Sequence, residues 1–111
     1  MKFSTSEVYN AAVISFKGKL MGGPDAENFH NKLVEFLESG KKNIVIDMSS
    51  VNYVNSTGIG NLIRGYTTVK NNGGHLKLAG LTDKIEGLLS ITKLNSVFEQ
   101  YATIDEAAKS F

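Results

Sequence analysis

Several residue types that would identify particular protein classes are absent from this chain of 111 residues. It contains no cysteine, which excludes a disulfide framework, a thiolate nucleophile and a cysteine-based zinc site. No apolar run approaches the ~20 residues that a membrane-spanning helix needs, and the N-terminus lacks the pattern of a signal peptide. We therefore expect a cytoplasmic protein that has no membrane partner.

The charges also show no bias of sign. Twelve Lys and Arg residues stand against eleven Asp and Glu residues, for a net charge of +1. The densest basic spots, Lys41-Lys42 and Lys17 with Lys19, are typical of solvated faces rather than of a nucleic-acid surface. The two histidines lack other ligand types around them, and no Ser-His-Asp order can be assembled. The sequence therefore predicts a protein that is not an enzyme, needs no metal or cofactor, and binds no nucleic acid directly.

A single domain over residues 1–111 is expected, because no linker, repeat or low-complexity segment interrupts the chain. Strand and helix patterns follow one another in the order β-β-α-β-α-β-α-β-α. This order predicts an α/β domain with a largely parallel sheet and helices packed against it. The predicted strands lie at 3–9, 12–16, 43–47 and near 76–78 and 97–99, and the helices begin near residues 24, 56, 82 and 103.

The most informative segment runs from Val51 to Gly60. The apolar strand at 43–47 leads into a polar turn, and the hydroxyl pair Ser56-Thr57 then opens a helical pattern. Backbone N–H groups are unpaired at the start of a helix and carry the positive end of its dipole. A hydroxyl at this position can cap the helix, and a phosphate placed on it would be stabilised.

Gly58 and Gly60 are unusual in the first turn of a helix, since each glycine costs about 1 kcal/mol relative to alanine. One interpretation is that a kinase or a partner helix approaches the backbone closely there. Another is close packing of this turn on the neighbouring strand. A nucleotide-binding loop is a third, although the segment lacks the Lys-Ser/Thr of a P-loop and the full spacing of a dinucleotide fingerprint.

This segment resembles the signature of STAS domains, the family of the anti-sigma factor antagonists. That signature runs Asp-Leu-Ser, a short apolar turn, and Asp-Ser-Ser/Thr-Gly-Leu-Gly; here it reads Asp47-Met48-Ser49 and then Asn55-Ser56-Thr57-Gly58-Ile59-Gly60. The resemblance covers nearly the whole chain, including the turns at 18–20 and 73–74. It implies the STAS fold, a small, mostly parallel or mixed β-sheet with helices packed mainly on one side. In that family the first hydroxyl of the pair is phosphorylated, and by position it is Ser56.

The resemblance also implies how such a domain would act. The unmodified protein would bind an anti-sigma factor that is a serine/threonine kinase, and would so free a sigma factor. The kinase, using ATP and Mg²⁺, would phosphorylate Ser56 and abolish binding, and a phosphatase would reverse the modification. The partner-binding residues would be Met21, Gly22, Gly23, Asn55, Ser56, Thr57, Gly58 and Gly60.

Two positions depart from the family pattern. Many antagonists carry an acidic residue where this chain has Met21, and the family usually has Asp where this chain has Asn55. These departures keep open an alternative function, in which a STAS scaffold or ligand-binding module works unphosphorylated in a larger signalling or transport complex. The sequence leaves the oligomeric state and the identity of the partners open.

Two further predictions concern packing. Asp47, at the end of a predicted strand, is expected to hydrogen-bond the backbone of the following turn and so to hold the loop that presents Ser56. Four apolar residues near the C-terminus are predicted to lie in the core: Ile91, Leu94, Val97 and Phe98.

Overall fold

The computed structural model describes residues 2–111 and has the predicted order of strands and helices. The five strands are β1 (Lys2–Val8), β2 (Ala11–Leu20), β3 (Asn43–Val54), β4 (His75–Ala79) and β5 (Glu99–Tyr101). The four α-helices are α1 (Pro24–Glu38), α2 (Ser56–Asn71), α3 (Asp83–Ile91) and α4 (Ile104–Lys109), and a 3₁₀ turn covers Leu94–Ser96.

The strands form one sheet in the order β1-β2-β3-β4-β5. β1 pairs with β2 in the antiparallel sense, and every other neighbouring pair is parallel. The α/β class and the mostly parallel, mixed sheet are therefore confirmed. Because β2, β3 and β4 are parallel, their carboxyl ends meet at one edge of the sheet, and the loops that leave these strands lie side by side there.

The helices cover the two faces of the sheet unequally. The main core lies between one face and the helices α1, α2 and α3, where Phe16, Phe29 and Leu62 are almost fully buried. On the opposite face, Ala107 and Ala108 of α4 pack on a smaller apolar cluster that includes Val13 and Val45. The prediction that helices pack mainly on one side of the sheet is therefore confirmed.

The third strand is longer than its apolar run. The pattern predicted a strand over 43–47, whereas β3 continues to Val54 and pairs with β2 over most of this extension. Two register shifts, between Ser15 and Lys17 and between Gly18 and Lys19, accommodate extra residues of β3. Such irregularities let a strand continue through polar residues that do not alternate regularly, which the local pattern could not show.

The core predictions near the C-terminus hold in part. Phe98 is buried and Leu94 packs against the main core, as expected. The prediction of a core position is wrong for Ile91, since 82% of its surface is exposed, and it is also wrong for the exposed Val97. The buried residues of α3 are Ile85 and Leu89, and Ile91 lies about 200° around the helix from Leu89, so its side chain faces away from the core.

A polar contact between α1 and α2 includes a histidine whose titration should affect stability. Glu27 and Arg64 form an ion pair at 2.8 Å, and the neighbouring His30 has a buried Nδ1 without a hydrogen-bond partner among residues 2–111. Burial lowers the pKa of His30 below its ordinary value of 6.5, and the charge of Arg64 lowers this pKa further, against the opposing effect of Glu27.

Because its pKa is lower in the folded state, His30 contributes stability that is fully present above about pH 6.5. This contribution is lost as the pH falls through the folded value. We expect the midpoint temperature of thermal unfolding to decrease when the pH is lowered from 7 to 5. A His30→Gln variant should show a smaller decrease. Calorimetry at several pH values measures it, with His75→Gln, at the exposed start of β4, as the matched control. Equal slopes for the wild type and His30→Gln would contradict the assignment.

Candidate functional site at the start of helix α2

The two segments predicted to form the site lie together at the carboxyl edge of the sheet. β2 ends at Leu20 and β3 ends at Val54, and these two residues are partners in the parallel register. The backbone N–H of Asn55 donates a hydrogen bond of 3.3 Å to the carbonyl oxygen of Leu20. The loop of residues 21–23 and the first turn of α2, which we call the switch face, are therefore adjacent.

Asn55 caps helix α2. Its backbone is extended (φ −111°, ψ 179°), and its Oδ1 accepts a hydrogen bond of 2.8 Å from the N–H of Gly58. The sequence pattern suggested that a hydroxyl would cap this helix, and that interpretation is wrong, because the helix begins one residue earlier than it required. Asn satisfies an unpaired N–H of the first turn at least as well as Ser or Thr. The hydroxyl of Ser56 is consequently not needed for capping.

This geometry separates the two substitutions that matter at Asn55. Asn55→Ala removes the cap and is expected to lower the free energy of unfolding by about 1 kcal/mol. Asn55→Asp keeps the acceptor and adds a charge that suits a helix N-terminus, so it should change stability by less than about 0.5 kcal/mol. Urea unfolding followed by circular dichroism checks both values, with Met21→Asp as an exposed control. A comparable loss for Asn55→Asp would show that the carboxamide N–H₂ group is needed.

Ser56 is the first residue of α2, and its side chain is exposed. Its hydroxyl has no hydrogen-bond partner within residues 2–111. The N–H groups of Ser56 and Thr57 belong to the first turn and have no partner within the helix. Ser56 therefore combines an accessible hydroxyl with nearby unpaired backbone donors.

Thr57 is in a different environment from Ser56. A Cβ added to Gly22 would lie 2.6 Å from Cγ2 of Thr57, so the methyl group of Thr57 fills the space that Gly22 leaves free. Gly22 and Gly23 both have positive φ angles (105° and 94°), which favour glycine in this loop. Beside them, Met21 is 40% exposed. The loop thus places Met21 on the surface and the backbone of Gly22 against the methyl group of Thr57, a residue that is itself exposed.

The two glycines of α2 have different explanations. Gly58 is buried, and a Cβ at this position would lie 1.8 Å from the carbonyl oxygen of Leu20. Close packing on the neighbouring strand explains this glycine. Because Gly58 is buried, it is not accessible to a partner. Gly60 is exposed, and nothing lies within 4 Å of a Cβ built there. Packing inside the domain therefore does not require a glycine at Gly60.

Asp47 lies outside the switch face. Its Oδ1 accepts hydrogen bonds from the N–H of Ser49 (3.0 Å) and from the hydroxyl of Ser49 (2.7 Å). The sequence predicted a hydrogen bond between Asp47 and the backbone of the following turn. The hydrogen bond to the backbone is present, but this backbone is still part of β3 rather than a turn. Asp47 therefore supports the irregular part of β3 between the first register shift and Val54.

A cleft that the sequence pattern did not predict adjoins the switch face. It has a volume of about 330 Å³ and lies between the end of β3 and helix α3. Tyr53, which is 41% exposed, and the protruding Ile91 are among the residues that line it. The signal that could have revealed it is the pair Tyr53-Val54 directly before the helix start, which the sequence pattern placed in a polar turn.

Within residues 2–111, no group of three or more His, Asp or Glu side chains is arranged to hold a metal ion. No helix in the same range is long and apolar enough to cross a membrane.

Comparison with known proteins identifies a family that covers nearly the whole chain. Residues 2–107 match the family model of the STAS domain. Among curated proteins, the anti-sigma-B factor antagonist of Bacillus subtilis is 37% identical over 79 residues, which cover 71% of this chain and 66% of that protein. The chain spans about two thirds of the length of the curated relatives that it matches.

Solved structures agree with this match. A crystal structure from Thermotoga maritima, described provisionally as an anti-sigma factor antagonist, has a TM-score of 0.85 and 26% identity, and the match covers 97% of this chain and 92% of that one. The Bacillus cell fate determinant SpoIIAA in its phosphorylated form has a TM-score of 0.75 over 98% of each chain. At 17% identity, that second likeness concerns the fold alone.

Proposed function

Because the chain belongs to the STAS domain family, we propose that it is an anti-sigma factor antagonist controlled by phosphorylation of Ser56. The unmodified protein binds an anti-sigma factor with serine/threonine kinase activity and frees a sigma factor. The kinase inactivates it by phosphorylating Ser56, and a phosphatase restores it. Support for the general role comes from relatives named as such antagonists, one of them 37% identical. In this role the protein is a regulatory binding partner and not an enzyme.

The observation that carries the proposal is the state of the Ser56 hydroxyl. It is exposed and caps nothing, and it lies at the first turn of α2, where backbone N–H groups have no partner within the helix. A kinase can reach this oxygen without breaking any hydrogen bond of the hydroxyl. Because Asn55 caps the helix, modification of Ser56 removes no capping hydrogen bond.

The charges around α2 suit an added phosphate. The first turns of α1, α3 and α4 each contain two acidic residues, whereas the first turn of α2 contains none. A phosphate on Ser56 brings a charge of about −1.5 to −2. It therefore meets the positive end of the α2 dipole without an acidic neighbour in that turn, and the folded domain tolerates it. An interface that fits closely around the unmodified hydroxyl loses its complementarity.

We predict that Ser56, and not Thr57, is the phosphoacceptor, because the methyl group of Thr57 is packed against Gly22. Incubation with the cognate kinase and ATP, followed by peptide sequencing, should place the phosphate on Ser56. Ser56→Ala should remove the modification, and Thr57→Val should retain it. Phosphate confined to Thr57, or phosphate that persists in Ser56→Ala, would contradict the assignment of Ser56 as the phosphoacceptor.

The alternative function, an unphosphorylated STAS scaffold or ligand-binding module, draws support from Asn55 and Met21, which leave the switch face without the acidic residues typical of the family. The intact mass of the protein isolated from its native cells separates the two functions. An increment of one phosphate that a phosphatase removes supports the switch. A protein that carries no phosphate under any growth condition supports the scaffold.

A further inference from the structure

Three lysines on β1 and β2 have no partner inside the domain. Lys2, Lys17 and Lys19 are exposed, and within residues 2–111 their side chains make no ion pair, hydrogen bond or ring contact. Most of the other cationic side chains do have such contacts. Ion pairs with carboxylates are formed by Lys32, Lys41, Arg64, Lys77 and Lys109. Lys42 donates a hydrogen bond to a carbonyl oxygen, and Lys70 lies over the ring of Tyr66. The remaining unpartnered cations are Lys84 and Lys93.

The three lysines share one face of the sheet. Lys2 and Lys17 are directly opposite each other in the antiparallel register, as are Phe3 and Phe16. The two phenylalanines pack together on the face that carries α1, α2 and α3. Because side chains alternate along a strand, Lys2 and Lys17 project from the other face. Lys19 follows on the same side, since its neighbour Leu20 is buried in the main core.

Fold stability does not explain this arrangement. Like charges directly opposite each other on neighbouring strands are destabilising. A lysine on an edge strand can prevent sheets from pairing edge to edge, and Lys2 on β1 suits that role. Lys17 and Lys19 lie on β2, which is flanked by β1 and β3. Edge protection therefore does not account for these two residues.

The lysines lead to the switch face. Lys19 is paired in register with Tyr53, and the next pair, Leu20 with Val54, adjoins Asn55. Helix α4 covers the other end of this sheet face, where Val13 and Val45 lie. The part that carries the lysines is polar. A protein bound at Ser56 can thus extend over the sheet edge and reach these lysines.

We infer that Lys2, Lys17 and Lys19 form a docking strip for acidic side chains of the same protein that binds the switch face. The inference rests on the proposed function and adds to it the charge of the partner surface. With only three clustered charges and a net charge of +1, the strip suits a local acidic patch rather than a long polyanion. Its main effect is to accelerate association, because complementary charges steer encounters.

The charge preference is tested first without the partner. Titration with an oligoglutamate peptide at low salt should shift the amide resonances of residues around Lys17 and Lys19 in a two-dimensional NMR spectrum. The Lys17→Gln/Lys19→Gln variant should lose these shifts, whereas Lys70→Gln/Lys93→Gln, with the same change in charge elsewhere, should retain them. Shifts absent from the strip, or tighter binding of duplex DNA or of anionic phosphatidylglycerol vesicles than of the peptide, would overturn the inference.

The second test uses the cognate kinase and stopped-flow association. At low salt, the association rate constant of the Lys17→Gln/Lys19→Gln variant should be at least about threefold lower than that of the wild type. The two rate constants should be equal at about 0.5 M salt. Lys70→Gln/Lys93→Gln should associate at the wild-type rate. Equal rates for all three proteins would refute the docking strip and leave the proposed function intact. A wild-type protein that does not bind the kinase at all would refute both.

Discussion

Replacing Gly58 with alanine is expected to lower the free energy of unfolding by about 3 kcal/mol or more. The new Cβ would lie 1.8 Å from the carbonyl oxygen of Leu20, which is backbone and cannot rotate away. To relieve this overlap, α2 must move off the end of β2, and the hydrogen bond from Asn55 to Leu20 is stretched. Urea unfolding monitored by circular dichroism measures the loss.

Gly60 provides the matched control for this experiment. It lies two residues further along the same helix, and nothing is within 4 Å of a Cβ built on it. Gly60→Ala should leave stability unchanged or raise it by up to about 1 kcal/mol, because alanine is the better helix former. If Gly58→Ala were as stable as Gly60→Ala, the close packing of α2 on β2 would be incorrect.

Ser56→Asp is expected to fold normally and to bind the anti-sigma factor at least about tenfold more weakly, equivalent to about 1.4 kcal/mol. The charge lies at the centre of the switch face, where it spoils a surface shaped around a neutral hydroxyl. Asp carries less charge and fewer oxygens than a phosphate, so phosphorylation should weaken binding more. Ser56→Ala should bind like the wild type and resist inactivation by the kinase. Calorimetric titration of the three proteins measures these affinities.

Thr103→Asp is the control for charge alone. Thr103 is an exposed N-cap of α4, which covers the end of its sheet face away from Lys17 and Lys19, and Asp can retain its capping role. This variant should bind the anti-sigma factor with wild-type affinity. If Thr103→Asp weakened binding as much as Ser56→Asp, the effect would reflect net charge, and the switch face would not be the interface.

The structural consequence of phosphorylation separates two mechanisms. Since the first turn of α2 accepts the new charge in place, the backbone should change little. Amide shifts between the unmodified and phosphorylated forms should be confined to residues near Ser56 and the loop of residues 21–23. Shifts across β4, α3 and α4 would instead indicate a conformational switch that extends through the domain.

Much of the fold could be predicted from the sequence because its signals are local. Thr82 and Thr103 precede apolar helical patterns, and each does accept a hydrogen bond from the N–H three residues later. The order of strands and helices follows from periodicity, and a parallel sheet follows from that order. The hydroxyl pair at the start of α2 and its place between strand and helix were also readable, and the family match over residues 2–107 agrees with them.

What the sequence by itself determined is therefore the element order, the sheet type and the segment that carries the candidate site. Only the tertiary structure decided which residue does what within that segment. Whether Asn55 or Ser56 caps α2 depends on where β3 stops, and β3 stops where its pairing with β2 ends. The need for glycine at Gly58, but not at Gly60, depends on the carbonyl of Leu20, 38 residues earlier in the chain. Contacts between residues so distant in sequence leave no periodic signal, because they depend on which elements become neighbours when the chain folds.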